Sequence, residues 1–309
     1  MILVTGGTGF VGSVLIPNLL KAGKEVRLLL RPSPVSPRLP KGVSVEVAVC
    51  SLKDERGLRA ALKGVDTVIH LAGAERQSTR ANLTEVDVEG AQAIAQVAAL
   101  AGVRRMLYLS HLGADKNSAY PVLKAKAFAE AAVQQSGIPY TIFRSAALFG
   151  PGDQFTTSFA RLIRASKPFV LMPGDGDMLL QPLWIEDLVT AMIIALDEES
   201  MYDQTISVGG AEILTFRQVI ETIMQTIGVR RWLIPFSPAY LRILALWVEQ
   251  VSPRFPVSHF WLDYLSADRT CALDTMPRVF GLMPVRFHQN LQYLQTYQHY
   301  KSHRRQDRR

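Results

Sequence analysis

The segment VTGGTGFVG, residues 4–12, constrains the fold of this chain more than any other feature, because Gly6, Gly9 and Gly12 recur at every third position. It follows a short apolar run and opens a stretch with the composition of a helix. At a strand–helix junction such glycines allow a tight bend, close approach of the backbone to a phosphate, and close helix packing. Free N–H groups at the helix start attract negative charge. The motif therefore predicts a pyrophosphate-binding loop in an α/β fold.

Apolar runs typical of buried strands alternate with helical stretches over the first half of the chain. The predicted strands span residues 2–6, 25–30, 43–49, 66–72, 104–110 and 140–146. The predicted helices span residues 11–23, 56–64, 89–102 and 121–137. Near-continuous apolar strands separated by helices are typical of a parallel sheet covered on both faces. The sequence therefore predicts a doubly wound α/β domain over residues 1–150.

The pattern changes after Gly150, where turn-rich segments and helices with few strands follow. Residues 151–309 are therefore predicted to form mainly a smaller, largely helical lobe on the substrate side, ending in a basic tail at 301–309. The run QTISVGG is the exception, because its strand-like part near 204–209 is expected to return to the sheet of the first domain.

Charge and cysteine content argue against several classes of protein. The formal charge is +7, but the tail KSHRRQDRR holds five Lys or Arg and one Asp, which leaves +3 on the rest of the chain. This balance does not indicate a nucleic-acid-binding protein. Cys50 and Cys271 alone predict neither a disulfide framework nor a zinc site, so we expect no metal and a reducing cytoplasm. With no leader and no run of ~20 apolar residues, we expect no membrane span.

The segment FSPAYLRILALWVEQV, residues 236–251, is the most apolar of the late helical stretches, although Arg242 and Glu249 interrupt it. One interpretation is a helix packed in the core or in a lid. The other is a peripheral contact with a membrane or a membrane complex, which the basic tail would support. The sequence leaves both interpretations open.

The end of the second strand indicates which dinucleotide is preferred. Sites for NAD usually place a carboxylate there to hold the ribose 2′-hydroxyl. Here the strand ends LLLRPS, with Arg31 and Ser33 in that region and no carboxylate. Because an arginine attracts a 2′-phosphate, NADP(H) is favoured over NAD(H). Arg38 and Lys41 could close over the phosphate, whereas a solvated loop is the alternative role for Arg31.

The stretch SAYPVLKAKAFAE places Tyr120 and Lys124 four residues apart, which is typical of side chains on one face of a helix. A phenol can donate a proton to a developing alkoxide, and a neighbouring ammonium favours the phenolate that results. Asn117 or Ser118 is the predicted N-cap, which puts Tyr120 in the first turn and makes Pro121 acceptable. Without further context, the pair would be ordinary surface residues.

Several motifs together resemble those of extended and atypical short-chain dehydrogenase/reductases. They are TGGTGFVG, DTVIHLAGAE, VDVEGAQAIAQVAALAGVRRMLYLS, the Tyr120/Lys124 pair, TIFRSAALFGPGDQF and QPLWIEDLVTAM, in the order seen in that family. SHLGAD followed by YPVLKAKAFAE is most similar to the group containing the dehydrogenase-like accessory subunit of respiratory complex I. The resemblance covers nearly the whole chain and implies a Rossmann fold that binds a nicotinamide dinucleotide.

The resemblance also implies roles for individual residues. The pyrophosphate loop would comprise Gly6, Thr8, Gly9, Phe10, Val11 and Gly12. The cofactor would further contact Leu71, Ala72 and Gly73 after the fourth strand, Lys124, and Ala146 and Leu148 after the sixth. Ser110 would polarise the substrate carbonyl, Tyr120 would be the acid/base, and Lys124 its partner. His70 lies inside an apolar strand and is expected in the core.

Asp87 departs from the family pattern, because extended members usually have Asn there as part of a proton relay. The leading functional hypothesis is an NADP(H)-dependent oxidoreductase acting on a small or lipid-like carbonyl or alkene. An epimerase or dehydratase is a second enzymatic possibility. A non-catalytic NADP(H)-binding accessory factor or redox sensor for a membrane complex is the alternative from a different class.

Overall fold

The computed structural model describes residues 1–33, 44–74, 82–251 and 259–296, without the side chains of Glu249, His259 and Thr296. The chain forms two compact units. The first comprises Met1–Ser145 and Ile185–Val208, and the second comprises Ala146–Trp184 and Gly209–Arg309. Arg38, Lys41 and the basic tail at 301–309 lie outside the described residues.

The strands and helices follow the chain in this order. The strands are β1 (Ile2–Thr5), β2 (Val26–Leu30), β3 (Glu46–Val49), β4 (Thr67–His70), β5 (Arg105–His111), β6 (Tyr140–Ser145), β7 (Leu148–Phe149), β8 (Phe169–Pro173), β9 (Leu179–Leu180), β10 (Leu183–Trp184), β11 (Gln204–Val208), β12 (Leu214–Thr215) and β13 (Trp232–Phe236). The α-helices are α1 (Phe10–Lys21), α2 (Glu55–Ala61), α3 (Gly90–Leu100), α4 (Pro121–Gln134), α5 (Thr156–Ala165), α6 (Ile185–Asp197), α7 (Phe216–Thr226), α8 (Pro238–Val251), α9 (His259–Tyr264), α10 (Thr275–Phe280) and α11 (Tyr293–Thr296). A π-helical turn spans Thr84–Glu89, and short 3-10 turns span Glu199–Met201 and Phe287–Asn290.

The first unit is built on a seven-stranded parallel sheet in the order β11-β6-β5-β4-β1-β2-β3. The chain winds outward from β1 towards β3 and then crosses to β4 on the other side of β1. This reversal between β1 and β4 is the switch point at which doubly wound sheets bind ligands, beside the carboxyl ends of the strands. The predicted fold class is confirmed.

The sheet is held by a core that its flanking helices cover. All four residues of β1 are buried, because both faces of a parallel sheet of this kind are packed by helices. Leu3, Val68 and Met106 from three neighbouring strands join Ile94 of α3 and Val133 of α4 in one apolar cluster. This core fixes the carboxyl ends of β1, β4 and β5 next to one another.

The boundary between the units differs from the predicted one near residue 150. Strand β11 does pair with β6, as expected for the segment near 204–209. However, the first unit ends at Ser145 and also takes in α6, which the sequence analysis had assigned to the C-terminal lobe. The reason is packing of α6 against α1, where Asn18 donates a hydrogen bond to Glu186 and Lys24 pairs with Asp197 at 2.7 Å.

The second unit has its own aromatic core. Phe149 packs edge-on against Phe287, and Phe159 against Phe216, within one cluster of buried side chains. The turn before α5 is held by buried Asp153, whose carboxylate accepts hydrogen bonds from the backbone of Gly150 and Thr157, among others. In the part of the chain that is described, no helix is long and apolar enough to cross a bilayer.

Candidate functional site

The glycine loop between β1 and α1 leaves no room for side chains at two of its positions. Gly6 has a φ of +69°, and a Cβ there would lie 2.6 Å from the carbonyl carbon of Leu71. A Cβ at Gly12 would lie 2.5 Å from the Cα of Gly7. The loop is therefore pressed against the end of β4 and folded tightly on itself, as the motif predicts.

Helix α1 presents its N-terminus at this loop. It begins at Phe10, and Gly9 is an N-cap without a side chain, so no side-chain cap covers the helix start. The first backbone N–H groups of a helix have no intrahelical partner, and here they belong to Phe10, Val11 and Gly12. Thr8 is exposed beside them. These donors and the glycine cradle fit a dinucleotide pyrophosphate.

Residues after β4 lie beside the glycine loop. The backbone N–H of Leu71 donates to the carbonyl of Thr5 at 3.2 Å, immediately before Gly6. Leu71, Ala72 and Gly73 are partly exposed, whereas Ala74 is buried. The structure thus brings together the two segments that the resemblance assigns to cofactor binding.

The end of β2 lies at the same edge of the sheet. Arg31 and Ser33 are exposed directly after the last buried residue of this strand, Leu30. Since β2 pairs with β1 in parallel, Arg31 follows the strand next to the glycine loop. Within the described ranges, no group of three or more His, Cys, Asp or Glu side chains is placed to hold a metal ion.

The side chain of Ser110 is hydrogen-bonded within the protein. It is fully buried near the end of β5, and its hydroxyl donates a hydrogen bond to the carboxylate of Glu130. Arg144 binds the same carboxylate at 2.6 Å. The role of Ser110 in polarising a carbonyl stays a prediction, and it requires this proton to leave the carboxylate of Glu130.

Helix α4 begins later than the sequence analysis expected. Pro121 is its first residue, and Tyr120 is the N-cap in an extended conformation rather than a first-turn residue capped by Asn117 or Ser118. The residue before a proline is sterically restricted from helical conformations, which explains the shift. The side chain of Ser118 instead accepts a hydrogen bond from the N–H of Tyr120. Tyr120 is half-buried and Lys124 is exposed. Because Tyr120 precedes the first helical residue, the pair does not lie along a regular helix face.

A different lysine of α4 is buried near the carboxyl ends of the strands. The Nζ of Lys126 lies 3.0 Å from Oδ1 of Asp87, and the exposed fractions of these side chains are 4% and 1%. The other oxygen of Asp87 accepts a hydrogen bond from the N–H of Ala74 at 2.9 Å. The ion pair thus joins α4 to the segment after β4. Asp87 stands out in the sequence, whereas Lys126 was not predicted as a site residue. Helical spacing would have placed Lys126 with buried Leu123 and Glu130 rather than with exposed Lys124.

Aromatic side chains extend this buried cluster under the glycine loop. Lys126 lies over the ring of Tyr108, with Nζ 5.6 Å from its centre, and that ring stacks on His70. The Nδ1 of His70 and the hydroxyl of Thr5 are hydrogen-bonded at 2.7 Å. Burial lowers the pKa of His70 to about 3, and the positive charge of Lys126 acts in the same direction. His70 is therefore a neutral core residue, as expected.

The two remaining predicted cofactor residues belong to the second unit. Ala146 is its first residue and is buried. Leu148 is partly buried in β7, where it pairs with Leu183 of β10. Their role beside a nicotinamide stays a prediction.

Comparison with known proteins agrees with this architecture. The NAD dependent epimerase/dehydratase family matches residues 2–209, a range that contains the glycine loop, Asp87 and Lys126. A solved structure of MoeE5 in complex with UDP-glucose and NAD is similar in fold, with a TM-score of 0.73 and 20% identity, covering 97% of this chain and 99% of that one.

Two curated relatives are similar in sequence. One is the mitochondrial NADH dehydrogenase (ubiquinone) 1 alpha subcomplex subunit 9 of Arabidopsis thaliana, with 30% identity over 78% of this chain and 59% of the relative. The other is a (4-alkanoyl-5-oxo-2,5-dihydrofuran-3-yl)methyl phosphate reductase of Streptomyces griseus, with 30% identity over 74% of each chain. The chain therefore spans less than two thirds of the length of the first relative. With the family match, the switch-point geometry and these relatives in agreement, the chain belongs to the NAD dependent epimerase/dehydratase family.

Proposed function

We propose that this protein is an NADP(H)-dependent oxidoreductase that reduces a lipid-like carbonyl or alkene. The observation that carries the proposal is the buried Lys126–Asp87 pair, one hydrogen bond away from the segment 71–74 beside the glycine loop. A buried ion pair beside the ligand-binding edge of a doubly wound sheet supports a functional site there. The printed name of the Streptomyces griseus relative, a reductase of an alkanoyl-bearing compound, supports the reaction class.

The glycine loop and the N–H groups of Phe10, Val11 and Gly12 would hold the pyrophosphate. Arg31 and Ser33 would bind the 2′-phosphate that distinguishes NADP(H) from NAD(H), because a guanidinium forms strong paired hydrogen bonds with phosphate. A bound nicotinamide supplies or accepts a hydride.

Tyr120 is the proposed proton donor to the reduced substrate oxygen or carbon. Tyr120 is the N-cap of α4 and is half-buried, so part of the residue is accessible to solvent. Lys124, one turn later and exposed, would bind the ribose hydroxyls of the cofactor. Lys126 would instead keep the loop after β4 in place through Asp87 and contribute positive charge to the site.

A fluorescence titration with NADPH and with NADH tests the cofactor assignment. We expect NADPH to bind at least about tenfold more tightly, and Arg31→Ala to remove about that factor for NADPH while leaving NADH affinity unchanged. Lys21→Ala is the matched control, since it removes an exposed cation from the far end of α1. Tighter binding of NADH by the wild-type protein would contradict the assignment.

Turnover is tested by NADPH consumption with a medium-chain aldehyde that carries a conjugated double bond. Tyr120→Phe should lower the rate by about a hundredfold or more, since general acid catalysis contributes on that scale. NADPH affinity should be retained. An unchanged rate in this variant would remove Tyr120 from the mechanism.

A non-catalytic accessory protein is the second candidate function. One observation that favours it is the residue four positions before the buried Lys126. A tyrosine at that position could pair with Lys126 along the helix, but the residue there is Val122. The engagement of Ser110 by Glu130 favours it as well. On this proposal the protein binds NADPH tightly, consumes none of it with carbonyl or alkene probes, and stabilises a partner complex.

We also propose a peripheral association with a membrane or a membrane complex, from a cytoplasmic location. The relative from Arabidopsis thaliana is named as a subunit of NADH dehydrogenase, which supports such an association without identifying a partner. The segment 236–251 is the proposed contact.

A further inference from the structure

Exposed apolar side chains are concentrated in one part of the second unit. Among the described residues, eight of the sixteen large apolar side chains that are exposed lie between Trp232 and Val251. Single exposed apolar residues are normal on a protein surface, whereas a concentration of this kind marks an interaction site.

The first part of this surface is one face of a two-stranded sheet. Trp232, Ile234 and Phe236 alternate along β13 and are all exposed, Trp232 at 73%. In the parallel pairing with β8, Trp232 is opposite Phe169, which is exposed as well. Val170, the next residue of β8, points to the other face and is buried in the aromatic core.

The second part follows directly, because α8 begins two residues after Phe236. Its exposed residues Tyr240, Ile243, Leu244, Trp247 and Val251 recur every three or four positions and therefore form one stripe along the helix. Leu241 and Ala245 are buried. The helix is thus packed on one side and presents apolar side chains on the other.

Cations outnumber carboxylates in the segments that form this surface. Residues 222–248 contain three arginines and no Asp or Glu, although Arg242 is paired with Asp263 and Glu249 follows in α8. Residues 154–174 contain two arginines and one lysine and again no Asp or Glu. Exposed Lys167 stands two residues before Phe169, and exposed Arg230 stands two residues before Trp232. Because these two residues are in register, both cations lie at the same end of the sheet.

We infer that the exposed faces of β8, β13 and α8 together lie on an anionic lipid bilayer, an inference that rests on the proposed membrane association and names its partner. Tryptophan and tyrosine rings favour the boundary between headgroups and acyl chains, and adjacent cations attract anionic headgroups. A second copy of this chain is a poorer occupant, because it would bring the same positive charges into the contact.

Flotation with vesicles tests the inference. We expect the full-length protein to float with vesicles of phosphatidylcholine mixed with phosphatidylglycerol, more weakly with phosphatidylcholine alone, and less as salt is raised.

Ile243→Ser combined with Trp247→Ser should weaken partitioning by at least about tenfold. Lys167→Glu combined with Arg230→Glu should remove the preference for phosphatidylglycerol. Leu100→Ser, at a residue of α3 that is 72% exposed, should float like the wild type.

NADPH titration of the same variants separates this inference from the proposed enzymatic function, since none of the changed residues lies in the glycine loop. Wild-type protein that binds NADPH but floats with neither vesicle would overturn the membrane surface alone. The same conclusion would follow if Leu100→Ser weakened flotation as much as the double variant. A dimer in native mass spectrometry that Ile243→Ser with Trp247→Ser dissociates would assign the surface to a second copy instead.

Discussion

The ammonium of Lys126 lies 3.0 Å from the carboxylate of Asp87 in a site where both side chains are almost fully buried, while Lys124, two residues earlier, is exposed. Asp87 stands at a position where extended short-chain dehydrogenase/reductases usually have Asn. Because Lys126 pairs with Asp87, the negative charge of the carboxylate is balanced within the protein. The pair also joins the segment after β4 to α4. The pair therefore has a structural effect that is measurable apart from catalysis.

Removing one member of this pair should destabilise the protein strongly. Lys126→Met leaves the buried carboxylate of Asp87 without its counter-ion, so we expect a loss of about 3–5 kcal/mol in the free energy of unfolding. Urea denaturation measures it. Lys124→Met is the matched control and should change stability by less than about 0.5 kcal/mol, as exposed residues usually do.

Neutralising both members should restore much of that loss. In the double variant Lys126→Met with Asp87→Asn, the amide oxygen of Asn can still accept the hydrogen bond from Ala74, and no unpaired charge remains. The combined cost should therefore be clearly smaller than the sum of the single costs. If the cost of the double variant equals the sum of the costs of Lys126→Met and Asp87→Asn alone, the two residues do not interact.

Ser110→Ala should affect stability rather than cofactor binding. The hydroxyl donates to the charged Glu130, and hydrogen bonds of this kind contribute about 1.5–3 kcal/mol. We expect a loss of that size in urea denaturation and an unchanged dissociation constant for NADPH. A large fall in turnover with unchanged stability would instead indicate that Ser110 contacts the substrate.

Gly12→Ala should abolish tight NADPH binding. The added methyl group would lie 2.5 Å from the Cα of Gly7, so the loop must open by displacing backbone. A weakening of at least about tenfold is expected, because displaced N–H groups lose their hydrogen bonds to phosphate. Ser13→Ala, at an exposed position in the same helical turn, serves as the control and should bind like the wild type. Equal affinities of the two variants would exclude this loop as the phosphate site.

His70 should make the protein less stable in acid. Its pKa is lowered from 6.5 to about 3, so between these values the unfolded chain binds one more proton than the folded protein. The stability that neutral His70 contributes is complete above pH 6.5 and is lost as the pH falls towards 3, at up to about 1.4 kcal/mol per pH unit. In His70→Phe the slope of unfolding free energy against pH should be shallower by about this amount. Identical slopes would show that His70 is protonated in the folded protein.

Much of the fold follows from local patterns in the sequence. Gly6, Gly9 and Gly12 predict the turn and the helix start, and apolar runs at residues 2–6 and 66–72 predict β1 and β4 beside it. These signals are readable because backbone geometry and burial act on neighbouring residues. Arg31 is likewise placed by its position after a strand.

The candidate catalytic residues were less predictable. Tyr120 and Lys124 have the right spacing for one helix face, but Pro121 moves the helix start past Tyr120. Ser110 has the right position in its strand, but Glu130, twenty residues later in the chain, binds its hydroxyl. The spacing of residues along the chain does not predict such hydrogen-bond partners, because they come from separate elements.

The sequence by itself therefore determined the doubly wound sheet, the glycine loop and the family, since each depends on motifs that are contiguous in the chain. Only the tertiary structure decided which lysine of α4 is buried, which anion neutralises it, where α6 packs, and that β8, β13 and α8 expose their apolar faces. The physical reason is that burial and charge pairing are properties of contacts between distant segments. The hydrophobicity of FSPAYLRILALWVEQV was evident from its letters, but whether that stripe faces a core or the solvent depends on what packs against it.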